Sequence, residues 1–263
     1  MSLPPPRNAG WSFMGAEFSV KWGKIKTKDN LILLERAPRL RLNPDINPYV
    51  QRVHDHPLHL LPAPTPAALH GLRGEAGRVP QRLLVDLGCG SGQFLLGVAA
   101  AHPDADCVGF ELRYKRLVKA ARKFEQAGTR NAWVVREEAG RFADYFDPAS
   151  IDAVFINFPD PWPKASEWKK RLLNHLFMED LERVLRPQGR LCLKTDHAGY
   201  FLHVLALIHS RPPWRVTAFS NNVHARAGRL PGCHEAAVRT EFEQLFQSKH
   251  KPVFAAVMTR LDA

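Results

Sequence analysis

The 263-residue chain is 45% hydrophobic and carries a formal net charge of +11, with a sequence pI ≈ 9.8. That length fits one α/β domain with an extension better than two full domains, and the longest apolar run, Phe94 to Ala101, falls well short of the roughly 20 residues a membrane helix needs. The positive balance favours a polyanionic partner, nucleic acid before an anionic membrane, although the same cations could serve solubility alone.

The first ten residues, MSLPPPRNAG, have neither an apolar core nor a cleavage site, so no signal peptide is expected. Prolines cluster at Pro4–Pro6 and again between Pro57 and Pro66, and Gly71, Gly74 and Gly77 follow. Residues 1–80 hold eleven Lys or Arg against six Asp or Glu. This stretch reads as an irregular basic arm that packs partly on the core. His54, Asp55, His56 and His59 lie close together, but Pro57 interrupts them and no fourth ligand is evident. Surface positions are expected for these histidines, and no metal site.

From Gln81 the pattern changes to alternating strands and helices. Arg82 to Leu87 reads as a short apolar strand, followed by a glycine loop and a helix through Ala101. Asp106 to Glu111 is the second strand, Tyr114 to about Ala127 a basic helix, and Ala132 to Arg136 the third strand. Ile151 to Asn157 is apolar apart from Asp152 and Asn157, as a central strand of a parallel sheet would be. A helix follows over about Lys170 to Leu185, and Arg186-Pro187-Gln188-Gly189 breaks the chain before a strand at Arg190 to Thr195. Gly199 to His209 is a helix, and Trp214 to Phe219 and Val253 to Leu261 are the last strands. The alternation predicts an α/β fold: a Rossmann-like, doubly wound, mostly parallel seven-stranded sheet over residues 81–263, behind the arm of residues 1–80. The four cysteines form no CxxC pair and suit a reducing cytoplasm, with Cys107 and Cys192 buried in apolar runs.

The glycine loop joins the first strand to the first helix as Asp86-Leu87-Gly88-Cys89-Gly90-Ser91-Gly92. Glycines at alternate positions let a ligand approach the backbone, and ligands of open α/β sheets bind at the carboxyl ends of the strands. Gln93 stands where a dinucleotide fingerprint places its third glycine, which counts against NAD, and the loop is not a phosphate-cradling P-loop. Asp86 can meet an ammonium group, and Glu111, ending the second strand, can accept hydrogen bonds from a ribose diol. Two acids and Gly88, Gly90 and Gly92 fit a ligand with an amino-acid end and a nucleoside end but no phosphate, namely S-adenosylmethionine. Glu137 and Glu138 follow the third strand, and one of them could bond the adenine amino group.

The fourth strand runs into Asn157-Phe158-Pro159-Asp160-Pro161-Trp162-Pro163-Lys164. Prolines on both sides of Asp160 restrict its backbone and prevent a strand ladder from continuing, so the loop presents Asp160 near the cofactor. Lys169, Lys170 and Arg171 follow, and rings beside cations suit a stacked base with its phosphates held. The motif NFPDPWPK, with Lys194-Thr195-Asp196, Tyr200 and Thr240-Glu241-Phe242-Glu243, resembles the bacterial tRNA (guanine-N7-)-methyltransferase family (TrmB type) over about Leu83 to Arg260.

The resemblance implies a class I methyltransferase that methylates guanine 46 in the tRNA variable loop. By it, Asp86, Glu111, Glu138 and Asp160 contact the cofactor, and Asp160 also acts in catalysis. Lys164, Asp196 and Thr240, Glu241, Phe242 and Glu243 contact substrate, and Ser166, Glu167, Trp168, Lys169, Lys170 and Arg171 contact RNA. Glu138 stands where many members have Asp, the stretch 164–168 is less basic than usual, and the arm does not align. The expected partner is tRNA, with no membrane or metal and a monomeric or dimeric enzyme. A methyltransferase for another RNA base and a non-catalytic RNA-binding module of the same fold are the competing readings, and an NAD-dependent dehydrogenase comes after them.

Overall fold

The computed structural model describes residues 47–69, 82–226 and 230–262, together with the backbone of two strands, Gly10–Phe13 (β1) and Ala16–Ser19 (β2). The chain divides into units of residues 1–42 and 43–263. In the first unit β1 and β2 pair antiparallel. Most of the basic arm, including Pro4–Pro6 and Gly71–Gly77, lies outside the described residues.

The second unit is built on an eight-stranded sheet. Its strands are β3 (Leu60–Leu61), β4 (Arg82–Leu87), β5 (Ala105–Phe110), β6 (Ala132–Val135), β7 (Ile151–Asn157), β8 (Leu185–Thr195), β9 (Trp214–Ser220) and β10 (Phe254–Arg260). They lie in the order β3-β6-β5-β4-β7-β8-β10-β9, all parallel except β10, which runs antiparallel to both neighbours. Seven of these are the strands expected from the sequence, although β8 begins at Leu185 and runs through the break read at Arg186–Gly189, with a register shift against β7 there. The eighth, β3, is two residues long, too short to leave a period, and it comes from the stretch read as irregular.

The α-helices with both ends among the described residues are α1 (Tyr49–Arg52), α2 (Gln93–Ala101), α3 (Tyr114–Gln126), α4 (His175–Val184), α5 (Ala198–His209) and α6 (Glu241–Ser248). Alternation along β4 sorts its side chains onto two faces. Leu83, Val85 and Leu87 pack with Phe177 and Leu181 of α4 and Val204 of α5. Leu84 faces the other way, with Phe94 and Val98 of α2 and Leu117 and Phe124 of α3. Asp86, two residues from Leu84, falls on that second face, beneath the glycine loop. Val53 and Leu60 join the same core, so this part of the arm is anchored by burial.

Two local readings are corrected. Helix α4 begins at His175 and not near Lys170, because Asn174 caps it by accepting from the Phe177 amide at 3.1 Å, while Ala165–Lys170 forms a 3-10 turn. His59 is buried, not on the surface: its Nδ1 bonds the Ala132 carbonyl at 3.0 Å and its ring meets Phe124 edge-on. No helix among the described residues is long and apolar enough to cross a membrane.

Candidate active site

The order of strands reverses between β4 and β7, since the chain moves outward through β5 and β6 on one side and then through β7 and β8 on the other. A crevice at such a switch point is where open α/β sheets hold ligands. Here it is a cleft of about 290 Å³, lined by Asp86, Gly88, Gly90, Glu111, Asp160, Thr240, Glu241 and Phe242 among others. These eight are residues singled out in the sequence, and they come from four separate segments.

The glycine loop bends because its glycines take left-handed backbone angles, with φ of 79° at Gly88, 58° at Gly90 and 76° at Gly92. Gly92 does not line the cleft. It lies against α3, where an added Cβ would come within 2.8 Å of the Ala120 Cβ, so its role is to let α3 pack under the loop. The Gly88 and Cys89 amides both donate to the Phe110 carbonyl, at 2.8 and 3.0 Å, which ties the loop to the end of β5. One residue beyond, Glu111 accepts from the Arg113 amide at 2.8 Å.

Asp86 is buried, and Asn157 donates to its Oδ1 at 3.3 Å. Burial pushes the Asp86 carboxyl up to about 7; the Asn157 hydrogen bond opposes this, the Glu111 charge adds to it, and Lys194 opposes it. Asn157 was not singled out as a site residue from sequence. Nor were Arg113 and Arg116, which also line the cleft. The available signal was positional: Asn157 ends the strand adjacent to β4, and Arg113 and Arg116 open the helix that follows Glu111.

The Asp160 loop is strained at both shoulders. Phe158 has φ 54° and Trp162 φ 41°, unfavourable values for bulky residues, and each immediately precedes a proline. Such strain persists only where surroundings impose it. The Phe158 amide donates to the Lys194 carbonyl at 2.8 Å, and its ring packs on Phe246 with centroids 5.2 Å apart. Asp160 itself is exposed on the cleft.

Helix α6 supplies the facing wall. Its capping box has Thr240 Oγ1 accepting from the Glu243 amide at 2.9 Å, while the Thr240 amide donates to Glu243 Oε2 at 3.2 Å. Lys194 Nζ donates to the same Oε2 at 2.9 Å, and the two side chains are only 5% and 1% exposed. Glu243 is thus a buried cap and ion-pair residue outside the cleft lining, whereas the resemblance implied a substrate contact. Its neighbour Glu241 turns outward to accept from the Ser91 hydroxyl and from Lys123 Nζ at 2.9 Å. The Ser91 bond first, then Lys123, holds the Glu241 carboxyl below the usual range against its partial burial. Lys123 also donates to Ser91 Oγ and Gln93 Oε1, both at 3.3 Å. The glycine loop, α3 and α6 are therefore latched together.

Several expected residues stand apart from the cleft lining. Lys164, Ser166, Trp168, Lys169 and Lys170 are exposed along the 3-10 turn, and Glu167 pairs with Lys170 at 3.1 Å. Asp196 is half-buried beyond the end of β8. Glu138 is half-buried, and its amide donates to Glu137 Oε1 at 2.9 Å. Glu137 is buried and accepts from the Tyr145 hydroxyl at 2.6 Å, so its carboxylate is committed to the fold. Arg171 is buried beneath the Asp160 loop, contrary to an RNA-facing position.

A family model described as “Putative methyltransferase” matches residues 80–256. A curated tRNA (guanine-N(7)-)-methyltransferase of Leuconostoc citreum is 33% identical over 177 residues, covering 66% of this chain and 79% of that protein. The chain belongs to the tRNA (guanine-N7-)-methyltransferase family. A second relative so named, from Bacillus licheniformis, is 34% identical over 65% of this chain and 76% of its own length. Among solved structures, one described as an antibiotic related methyltransferase superposes with a TM-score of 0.56 at 15% identity, covering 78% of this chain and 98% of that one. The 16S rRNA methyltransferase KamB gives 0.54 at 14% identity, covering 75% and 94%. At such identities these two establish the fold alone.

The family's cofactor is S-adenosylmethionine, and the residues present fit it. A carboxylate buried at the sheet end, a backbone cradle at Gly88 with no atom within 4 Å of an added Cβ, and a second carboxylate at Glu111 are suited to an ammonium group, a close ligand approach and a ribose diol.

Proposed function

We propose that this enzyme transfers a methyl group to N7 of guanine in tRNA, at position 46 of the variable loop, and that Asp160 reads the base. The observation that carries this is the common cleft. The exposed carboxylate of Asp160, on a loop strained between prolines, lines the same crevice as Asp86 and Glu111. When bound, S-adenosylmethionine supplies an electrophilic methyl group on a sulfonium.

Guanine N7 carries an in-plane lone pair and no proton, so no residue is needed to remove one before attack. The protein's task is alignment at near-attack distance. In this reading Asp86, oriented by Asn157, holds the ammonium end of the cofactor, Glu111 its ribose hydroxyls and Glu138 its adenine edge. The Gly88 and Gly90 backbone lets it approach. Asp160 accepts from guanine N1–H and the N2 amino group, which selects against adenine, whose N1 is an acceptor. Thr240, Glu241 and Phe242 form the wall on the other side. The methylated base is cationic, and the carboxylates around it stabilise the charge as it develops. Lys164 and the exposed turn from Ser166 to Lys170 lie on the path of the RNA backbone, and Asp196 holds the other side of the base or the methionine end. The net charge of +11 supports a polyanionic substrate.

Mass spectrometry of unmodified tRNA treated with enzyme and cofactor tests this, with 7-methylguanine expected at position 46. A methyl group on another base, or at another position, overturns the assignment.

A further inference from the structure

Arg171 occupies a place that no RNA-contacting residue would. It is 2% exposed, although it closes a run of exposed side chains. Its Nε donates to the Pro161 carbonyl at 2.9 Å, and Nη2 reaches the Trp162 carbonyl at 3.4 Å. Those are the two residues that follow Asp160. Its guanidinium lies over the Trp168 ring at 4.6 Å and near the Tyr200 ring at 5.2 Å, and its own carbonyl accepts from Asn174, the cap of α4, at 3.0 Å. One nitrogen, Nη1, has no hydrogen-bond partner. A buried cation left partly unsatisfied is costly, so its contacts to the loop are what account for its position.

We infer that Arg171 is a positioning residue for the Asp160 loop: it pins the Pro161 and Trp162 carbonyls so that Asp160 is held over the cleft, and it does not contact RNA. This rests on the role of Asp160 proposed above. The backbone between Phe158 and Trp162 is strained at both ends, and a strained segment relaxes unless something fixes it. The planar guanidinium is suited to this, since it reaches two successive carbonyls from one side while its faces stack on rings. An ammonium at the same place would reach one carbonyl and stack less well.

The two possible roles separate in the salt dependence of tRNA binding. Loss of a phosphate contact lowers the slope of log Kd against log salt by roughly 0.7 to 0.9, whereas loss of a brace leaves the slope alone and slows methyl transfer. Arg171→Met and Arg171→Lys would be compared with the wild type by filter binding of tRNA over a potassium chloride series and by single-turnover methyl transfer, with thermal unfolding as a check. For Arg171→Met the expectation is a transfer rate reduced by about tenfold to a hundredfold, a tRNA Kd within about twofold of the wild type, and an unchanged slope. Arg171→Lys should recover part of the rate, and it carries the test if the methionine variant does not fold. A variant with normal transfer and a slope reduced by one contact overturns the brace while leaving the proposed function intact. A wild-type enzyme that transfers no methyl to tRNA overturns the proposed function, and the brace with it.

Discussion

The side-chain amide of Asn157 donates to Asp86 across the junction where the strand order reverses, at 3.3 Å. The bond orients a carboxyl that burial has pushed up to about 7. Protonation of Asp86 therefore falls near neutral pH.

Cofactor binding should be pH-dependent for this reason. An ammonium ligand prefers the ionised carboxylate, so affinity for S-adenosylmethionine should rise by up to about tenfold from pH 6 as Asp86 ionises, and fall again where the ligand's own ammonium loses its proton. Stability of the ligand-free protein should run the other way. The folded pKa lies above the unfolded one, so what Asp86 contributes is fully present below about pH 4 and is lost as pH rises through about 7. Calorimetric titrations and thermal melts of the wild type and Asp86→Asn would measure both; a wild-type affinity flat across this range contradicts the reading.

Asp160→Ala should lower methyl transfer by at least about a hundredfold, the size expected when a residue aligned with developing charge is lost. Because the residue is exposed, the unfolding midpoint should stay within about 2 °C of the wild type. Near-normal turnover on unmodified tRNA rules out its proposed part in the reaction.

Glu243→Gln should act on stability first. It leaves Lys194 buried without its countercharge and weakens the cap on α6, at a cost of about 3 to 5 kcal/mol. Denaturant unfolding reads this directly. A variant of normal stability with a raised KM for tRNA would return Glu243 to the substrate-contacting role that the resemblance implied.

Lys123→Met should loosen the latch among Ser91, Glu241 and α3, although Lys123 itself is not part of the cleft lining. The pair is partly exposed, so the discounted effect is about 1 kcal/mol, or roughly a fivefold loss of kcat/KM. Steady-state kinetics at two salt concentrations measures it; no loss at low salt would mean the latch is incidental.

The seven longer strands, the glycine loop and the residues at the carboxyl ends of β4 and β5 were legible in the sequence because period and spacing encode them directly. Asp160 was legible because proline on each side leaves a chain few conformations. Glu243 and Arg171 were not. Arg171 sits in a polar run that reads as surface, and only the tertiary fold shows it beneath two carbonyls; the Thr240-to-Glu243 spacing marks a capping box in the sequence, but not the pairing of Glu243 with Lys194, 49 residues away. Asn157 was missed for a different reason, since its partner is 71 residues away and no local pattern links them. Strand β3 was invisible because two residues have no period.

Strand β10 lies between β8 and β9 although it follows both in the sequence. A growing chain therefore makes β9 before the only strand that β9 pairs with among the described residues. The wall at Thr240 to Phe242 lies between them in sequence, so it too waits on β10 to be drawn into place. The half of the sheet that carries β4, β5 and β6 can form early from neighbouring segments. The pairings of β10 with β8 and β9 join residues distant in sequence, and such pairings form slowly. A nascent chain would thus bring Gly88 to the end of β4 before Glu241 of α6 could close over Ser91 and complete the loop's latch.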